Sequence, residues 1–172
     1  MSRTCVVTGA AGFIGSRLCA LLLDAGWTVR GLDLLTGFTP VADKRRRIAA
    51  LSACDRFAFG RVDLARDDVH DELRGADVVF HLAGQAGVRD SFGAGAGAHV
   101  ERNVRATARL AGAMARRGGG RLVVASSSSV YGDAGGRPLR EGRRPRPGSP
   151  YAVTKLAAER VARALVPDAV IL

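Results

Sequence analysis

A three-layer α/β/α fold, a doubly wound parallel sheet with helices on both faces, is what this sequence predicts, on three observations. Short apolar runs alternate with helical stretches along the whole chain, the pattern of successive βαβ units. The cores of those runs (VVT, VVF, LVV) are apolar without alternation, as strands buried on both faces require. A turn with regularly spaced glycines, TGAAGFIGS, separates the first run from the first helical stretch.

Taken in order, strands are expected at Thr4–Thr8, Thr28–Asp33, Phe57–Asp63, Val78–Leu82, Arg121–Ser126 and Ala169–Leu172. Helices are expected at Phe13–Ala25, Asp43–Leu51, Asp67–Arg74, roughly Ala96–Arg117, and Tyr151–Leu165. Gly93–Gly97 and Gly132–Ser149, the latter rich in Pro and Arg, read as loops within one domain spanning residues 1–172. No internal repeat interrupts the pattern, and 172 residues suffice to bury a core.

The formal charge of +10 invites a nucleic-acid reading, but the composition argues against it. The chain has two lysines, Lys44 and Lys155, against 24 arginines, most of them scattered. The arginines cluster only at Arg45–Arg47 and in the loop carrying Arg137, Arg140, Arg143, Arg144 and Arg146, and few aromatics interleave to stack on bases. A basic surface also suits anionic ligands such as dinucleotides and sugar nucleotides. No apolar run approaches the ~20 residues of a membrane span, and the N-terminus lacks an export signal. Cys5, Cys19 and Cys54 have no metal-ligand spacing, so no metal is expected; they suit a reducing cytoplasm, Cys5 and Cys19 as small core residues.

Gly9, Gly12 and Gly15 stand at three-residue intervals between strand and helix. Glycine lets the chain turn sharply, approach a pyrophosphate and pack the helix on the strand, and the helix start at Phe13 and Ile14 offers free N–H groups to the anion. This is a Rossmann-like dinucleotide site in its G-x-x-G-x-x-G form. Asp33 ends the second strand 18 residues after Gly15. A carboxylate there accepts both adenosine-ribose hydroxyls and repels a 2′-phosphate, so the cofactor expected is NAD. Asp63 and Leu64, at the end of the third strand, are where such folds contact the adenine edge.

Tyr151 and Lys155 share a helix face one turn apart, behind Ser149 as N-cap and Pro150 at the first helical position. A free phenol holds its proton up to pH ~10; a neighbouring ammonium stabilises the phenolate and suits the pair to proton transfer. Ser127, 24 residues before Tyr151, follows a buried strand, at the end where open α/β sheets place their active sites. Ser126, Ser128 and Ser129 compete with it for the role.

Together these segments resemble the NAD-dependent epimerase/dehydratase family of extended short-chain dehydrogenases, over essentially the whole chain. HLAGQAGVR (His81–Arg89), containing Leu82, Ala83 and Gly84, resembles the stretch on the nicotinamide side of the cofactor. Asn103 resembles the helix asparagine of the family's N-x-x-G segment, and SSSSVYGD and SPYAVTK resemble the catalytic segments. Ala106 replaces a usual glycine and Gly84 a usual alanine.

The resemblance implies a nucleotide-sugar 4-epimerase acting by transient C4 oxidation and hydride return. Tyr151 would move the C4 hydroxyl proton, Lys155 would hold the nicotinamide ribose and tune Tyr151, and Ser127 would steady the C4 oxygen. Arg89 would reach a phosphate or carboxylate, or remain a solvated loop arginine. Ser128 and Ser129 stand where the 4,6-dehydratases carry an Asp–Glu pair, which argues against dehydration. QAGVR, the basic helix DKRRRIAAL and RFAFGRVDL are similar to UDP-glucuronate 4-epimerases, with UDP-glucose 4-epimerases and sugar-nucleotide decarboxylases or reductases as neighbours.

The resemblance further implies that the chain stops in the sixth strand, so that the substrate-gripping C-terminal part is largely missing and activity alone is weak or absent. A non-catalytic NAD-binding or redox-sensing module is the alternative. Family members pair through helices corresponding to 96–117 and 151–165. The apolar faces there (Leu110, Ala111 and Met114; Leu156, Val161 and Leu165) serve either a homodimer or packing on the sheet.

Overall fold

The computed structural model describes residues 3–37 and 39–172. Its strands are β1 (Thr4–Thr8), β2 (Thr28–Asp33), β3 (Phe57–Arg61), β4 (Val78–His81), β5 (Arg121–Val124) and β6 (Val170–Ile171). Helices α1 (Phe13–Asp24) and α2 (Val41–Leu51) precede β3; α3 (Ala96–His99) runs through a π-helical turn, Val100–Arg105, into α4 (Ala106–Arg117), and α5 (Pro150–Leu165) precedes β6. All pairings are parallel, in the order β3-β2-β1-β4-β5-β6. The order reverses between β1 and β4, which opens a crevice at their C-terminal ends.

Each face of the sheet has its own core. On β1, Cys5 and Val7 pack with Cys19, Leu23 and Phe57 beneath α1 and α2, while Val6 packs with Val79, Leu110 and Leu122 beneath α4 and α5. Neighbouring residues of one strand are thus buried on opposite sides, which is why these strands read as continuous apolar runs. Burial pushes the Cys5 and Cys19 thiols up to about 12, so both are inert core residues at neutral pH. Among the described residues, no helix is long and apolar enough to cross a membrane.

The strand and helix boundaries differ from expectation by up to two residues, for local reasons. Helix α2 begins at Val41 because the Pro40 carbonyl accepts the N–H groups of Asp43 and Lys44. β5 ends at Val124, yet Ala125 N still donates to His81 O and Ser126 N to Leu172 O, so its edge is ragged rather than absent.

One expected element does not form. Residues 67–74 make separate turns instead of a helix, although Val69 and Leu73 are buried as a helical spacing would bury them. Arginine side chains take the carbonyls of this stretch. Arg30 donates to Glu72 O and Arg74 O, Arg109 to Arg66 O and Asp67 O, and Arg117 to Leu73 O and Ala76 O. With those carbonyls satisfied from outside, the segment gains little from a continuous helical ladder.

Arg117→Ala is expected to destabilise the fold by about 2 kcal/mol, because two carbonyls lose charged donors. Arg117→Lys should recover less than half of that, since one ammonium does not reproduce the guanidinium fork. Urea unfolding followed by circular dichroism measures both.

Candidate active site

The site grows from the turn after β1. Gly9 adopts φ +71°, and a β-carbon on it would lie 2.9 Å from the backbone nitrogen of Ala83, so only glycine lets this turn press against the exit of β4. A β-carbon on Gly15 would lie 2.1 Å from Gly9 O, so the start of α1 packs directly on the turn. Gly12 is the N-cap of α1 and no side chain caps the helix, which leaves first-turn N–H groups for an outside acceptor. Phe13 and Ile14 stand exposed there, at 71% and 65%.

A cleft of about 260 Å³ opens at this point. Of the residues singled out in the sequence, Gly9, Gly12, Asp33, Asp63, Leu64, Leu82, Ala83 and Gly84 line it. Phe13, Ile14, Gly15, Asn103, Ser127, Tyr151 and Lys155 lie outside its lining.

Asp33 is buried and heavily engaged. Its Oδ2 accepts Ala11 N at 3.2 Å, and its Oδ1 accepts Leu35 N at 2.7 Å and Lys44 Nζ at 2.9 Å. A carboxylate has about four acceptor sites, so roughly one remains for a ligand. Lys44 also donates to Thr36 O, which leaves one of its three donors beside that site. Asp33, expected as the ribose acid, therefore stands in the cleft as one half of an Asp33–Lys44 pair. Leu35, held at φ +61° next to Asp33, is the one non-glycine at positive φ among the described residues. Sequence reasoning missed Lys44 because a helix pattern does not show which strand end its first turn faces; its rarity in an arginine-rich chain was the available signal.

Asn103 sits in the π-helical turn with its side chain turned to protein partners. Its Oδ1 accepts Gln85 N at 2.7 Å, and its Nδ2 donates to Gln85 O and to Thr154 Oγ1. It thereby fixes the loop after β4 and ties it to α5. A β-carbon on Gly84 would lie 2.8 Å from Asn103 Oδ1, so alanine at 84 would have to displace that clamp. Arg89 is exposed in a short 3-10 turn.

Behind the cleft, every proton of a buried chain can be assigned. Thr107 Oγ1 donates to Asn103 O, so it accepts from His81 Nε2 at 2.9 Å. His81 Nδ1 is then bare and accepts the hydroxyl of Thr8 at 2.8 Å, and Thr8 Oγ1 accepts Ala83 N. Burial first, and the Lys155 charge second, push the His81 pKa down to about 3, in agreement with a neutral ring.

At the far end of β5, Ser149 Oγ caps α5 through Ala152 N at 3.1 Å and sets Tyr151 in the first turn. The Tyr151 ring meets His99 edge-on at 5.8 Å between centroids. Lys155 Nζ donates to Ala125 O at 2.6 Å. Burial lowers the Lys155 pKa, and the Glu159 carboxylate opposes that shift. The four serines separate here: Ser126 donates to Glu159, Ser127 Oγ accepts Ser129 N at 3.2 Å, and Ser128 is exposed.

A glycine turn seated on the neighbouring strand, with an acid at the end of the next, defines a dinucleotide-binding α/β domain. Comparison with known proteins narrows the class. The sequence model of the NAD dependent epimerase/dehydratase family matches residues 5–170, and the chain belongs to that family. It is 41% identical over 157 residues to an uncharacterized UDP-glucose epimerase of Bacillus subtilis, covering 91% of this chain and 49% of that protein. The crystal structure of UDP-glucuronic acid 4-epimerase from Bacillus cereus, in complex with UDP-glucuronic acid and NAD, is similar with a TM-score of 0.91 and 38% identity. That match covers 98% of this chain and 55% of the other. A dTDP-glucose 4,6-dehydratase from Streptomyces venezuelae, with NAD and TYD bound, gives 0.84 and 35%, covering 94% and 51%. The chain thus spans about half the length of the relatives it matches.

Two outcomes follow from the buried chemistry. An unfolded histidine takes its proton near pH ~6.5, whereas folded His81 does so only at about 3. The stability due to neutral His81 is therefore present above ~6.5 and is lost as pH falls toward 3. His81→Gln should cost about 1–3 kcal/mol at pH 7.5, and its gap to wild type should narrow by about 2 kcal/mol at pH 5. Urea titrations at the two pH values measure this. Asp33→Asn strands the buried Lys44 ammonium and should destabilise by about 3 kcal/mol, while Asp33→Asn with Lys44→Met should recover much of that loss.

Proposed function

We propose that this chain is the NAD-binding part of a nucleotide-sugar 4-epimerase of the UDP-glucuronate or UDP-glucose type. In this reading residues 1–172 are one NAD(P)-binding domain, the N-terminal portion of an extended short-chain dehydrogenase. The observation that carries it is the cleft at the reversal of strand order, with its unshielded helix start at one end and the Asp33–Lys44 pair at the other. Similarity to an epimerase whose crystal structure contains UDP-glucuronic acid and NAD supports the choice.

Gly9, Gly12, Phe13, Ile14 and Gly15 would hold the pyrophosphate through backbone groups, and Asp33 with Lys44 the adenosine ribose. Asp63 and Leu64 would border the adenine. Leu82, Ala83 and Gly84, braced by Asn103, would border the nicotinamide side, with Tyr151 and Lys155 at the ribose next to it. When bound, NAD supplies the acceptor that takes a hydride from C4 of the sugar and gives it back. Tyr151 moves the proton of the C4 hydroxyl, Lys155 favours its phenolate, and Ser127 holds the C4 oxygen. Ser127 is preferred among the serines because the Ser126 hydroxyl is committed to Glu159.

The partners of this reading are a UDP-sugar and a second copy of the chain, and three free cysteines suit a reducing cytoplasm. Leu110, Ala111 and Met114 are buried against the sheet, so the α4 face named in the sequence is core. Exposed Val100 and Val153, together with Leu165, support pairing through the outer surfaces of these helices.

The 172-residue chain is expected to bind NAD in isothermal titration calorimetry, with Asp33→Ala weakening binding roughly tenfold or more. Incubation with NAD and UDP-glucuronate should yield UDP-galacturonate only from a polypeptide extended by the substrate-binding part, because the nucleotide's binding energy is needed for turnover. NAD binding without turnover by the extended protein would favour the non-catalytic module; no NAD binding by either would refute the reading.

A further inference from the structure

Glu159 has no part in the site as described, yet it lies on the same line of α5. Tyr151, Lys155 and Glu159 follow one another at four-residue steps, so their side chains share one face of the helix. Two of them grip successive residues at the end of β5. Lys155 Nζ donates to Ala125 O at 2.6 Å, and Glu159 Oε1 accepts the hydroxyl of Ser126. The next residue is Ser127. On the other side, Ser126 N donates to Leu172 O at 2.7 Å, so this peptide is held from both flanks.

We propose that Glu159 is a positioning residue for the active site: its carboxylate fixes the end of β5 against α5 and is the counter-charge for the half-buried Lys155. Two titratable groups are felt at Lys155, Glu159 from α5 and His81 from β4, while Tyr151 stands one helical turn before it on the same face. His81 is neutral, with both ring nitrogens engaged by threonines. The residues just after β5 contribute the Ala125 carbonyl and the Ser126 hydroxyl, neither of them charged. Burial disfavours the Lys155 ammonium, and Glu159 is the group that works against that penalty. Without it, Lys155 would lose its proton at lower pH and cease to favour the Tyr151 phenolate. The role of Lys155 in catalysis rests on the function proposed above; the Glu159–Lys155 coupling does not.

The composition makes the test clean, because the chain has only two lysines. Nuclear magnetic resonance of the 172-residue chain labelled with carbon-13 at lysine Cε gives two titrating signals, and Lys44→Met assigns them. Glu159→Gln keeps an oxygen for Ser126 and removes the charge, so the Lys155 titration should move down by about one pH unit while Lys44 stays put. Ser126→Ala keeps the charge and should leave Lys155 within about a quarter of that shift. Should Glu159→Gln fail to fold, Glu159→Asp, which retains the charge, is read against Ser126→Ala in its place and should hold the wild-type titration. An unmoved Lys155 in Glu159→Gln overturns the proposal, and so does an equal shift in Ser126→Ala, which would make Glu159 a mere brace. NAD titrations across the same pH range are a separate readout. In wild type their alkaline loss should follow Lys155, and in Glu159→Gln it should begin about one unit lower. Failure of wild type to bind NAD would count against the proposed function and leave the lysine titration to decide this inference.

Discussion

A continuous line of hydrogen bonds joins the phosphate turn to the helix that carries Tyr151, and the geometry of the cleft depends on it. It begins at Ala83 N, passes through Thr8, His81 and Thr107 to the Asn103 backbone, and continues from the Asn103 side chain through Thr154 to Tyr151 O. It crosses β1, β4, the π-helical turn and α5, the elements on either side of the reversal in strand order. Each donor on it has one available acceptor, so the line has a single protonation pattern. A buried polar chain of this kind is costly when broken, because the groups next to the break have no water to turn to. That cost holds the glycine turn and α5 at a fixed separation before any ligand arrives.

The π-helical turn at Val100–Arg105 makes this possible. A regular helix from Ala96 to Arg117 would present residues to the sheet at a constant angle. The wider turn lets Asn103 face the loop after β4 while Leu110 and Met114 still face the core. The same turn brings Thr107 under Asn103 O, and that bond fixes the direction of the chain through His81.

The sheet was legible in the sequence because a strand buried on both faces leaves an unambiguous apolar run, as at Cys5–Val7 and Leu122–Val124. The start of α5 was legible because Ser149 and Pro150 act within one turn of the residues they cap. What escaped depends on contacts between residues far apart in the chain. Val69 and Leu73 have helical spacing, but three arginines from other elements decide what their backbone does. The pairing of Asp33 with Lys44 depends on how the first turn of α2 meets the end of β2, which spacing along the chain does not reveal. Four consecutive serines cannot be told apart by spacing, and they separate only when Glu159 claims the first. Asn103 was identified from its segment, but its work as a clamp on the loop after β4 appears only in three dimensions.

Arginine fills 24 cationic positions in this chain, and lysine the two that are enclosed by the site. In each the ammonium acts as a compact point donor: between Asp33 and Thr36 O, and against the carbonyl of Ala125. Side-chain amine chemistry in the folded protein is therefore confined to the cleft beside Asp33 and to the contact of α5 with the end of β5. An acylating reagent or a lysine-modifying enzyme would find almost nothing to react with on the exterior. A mark on Lys44, the more enclosed of the two, would report that the Asp33 pair had been opened.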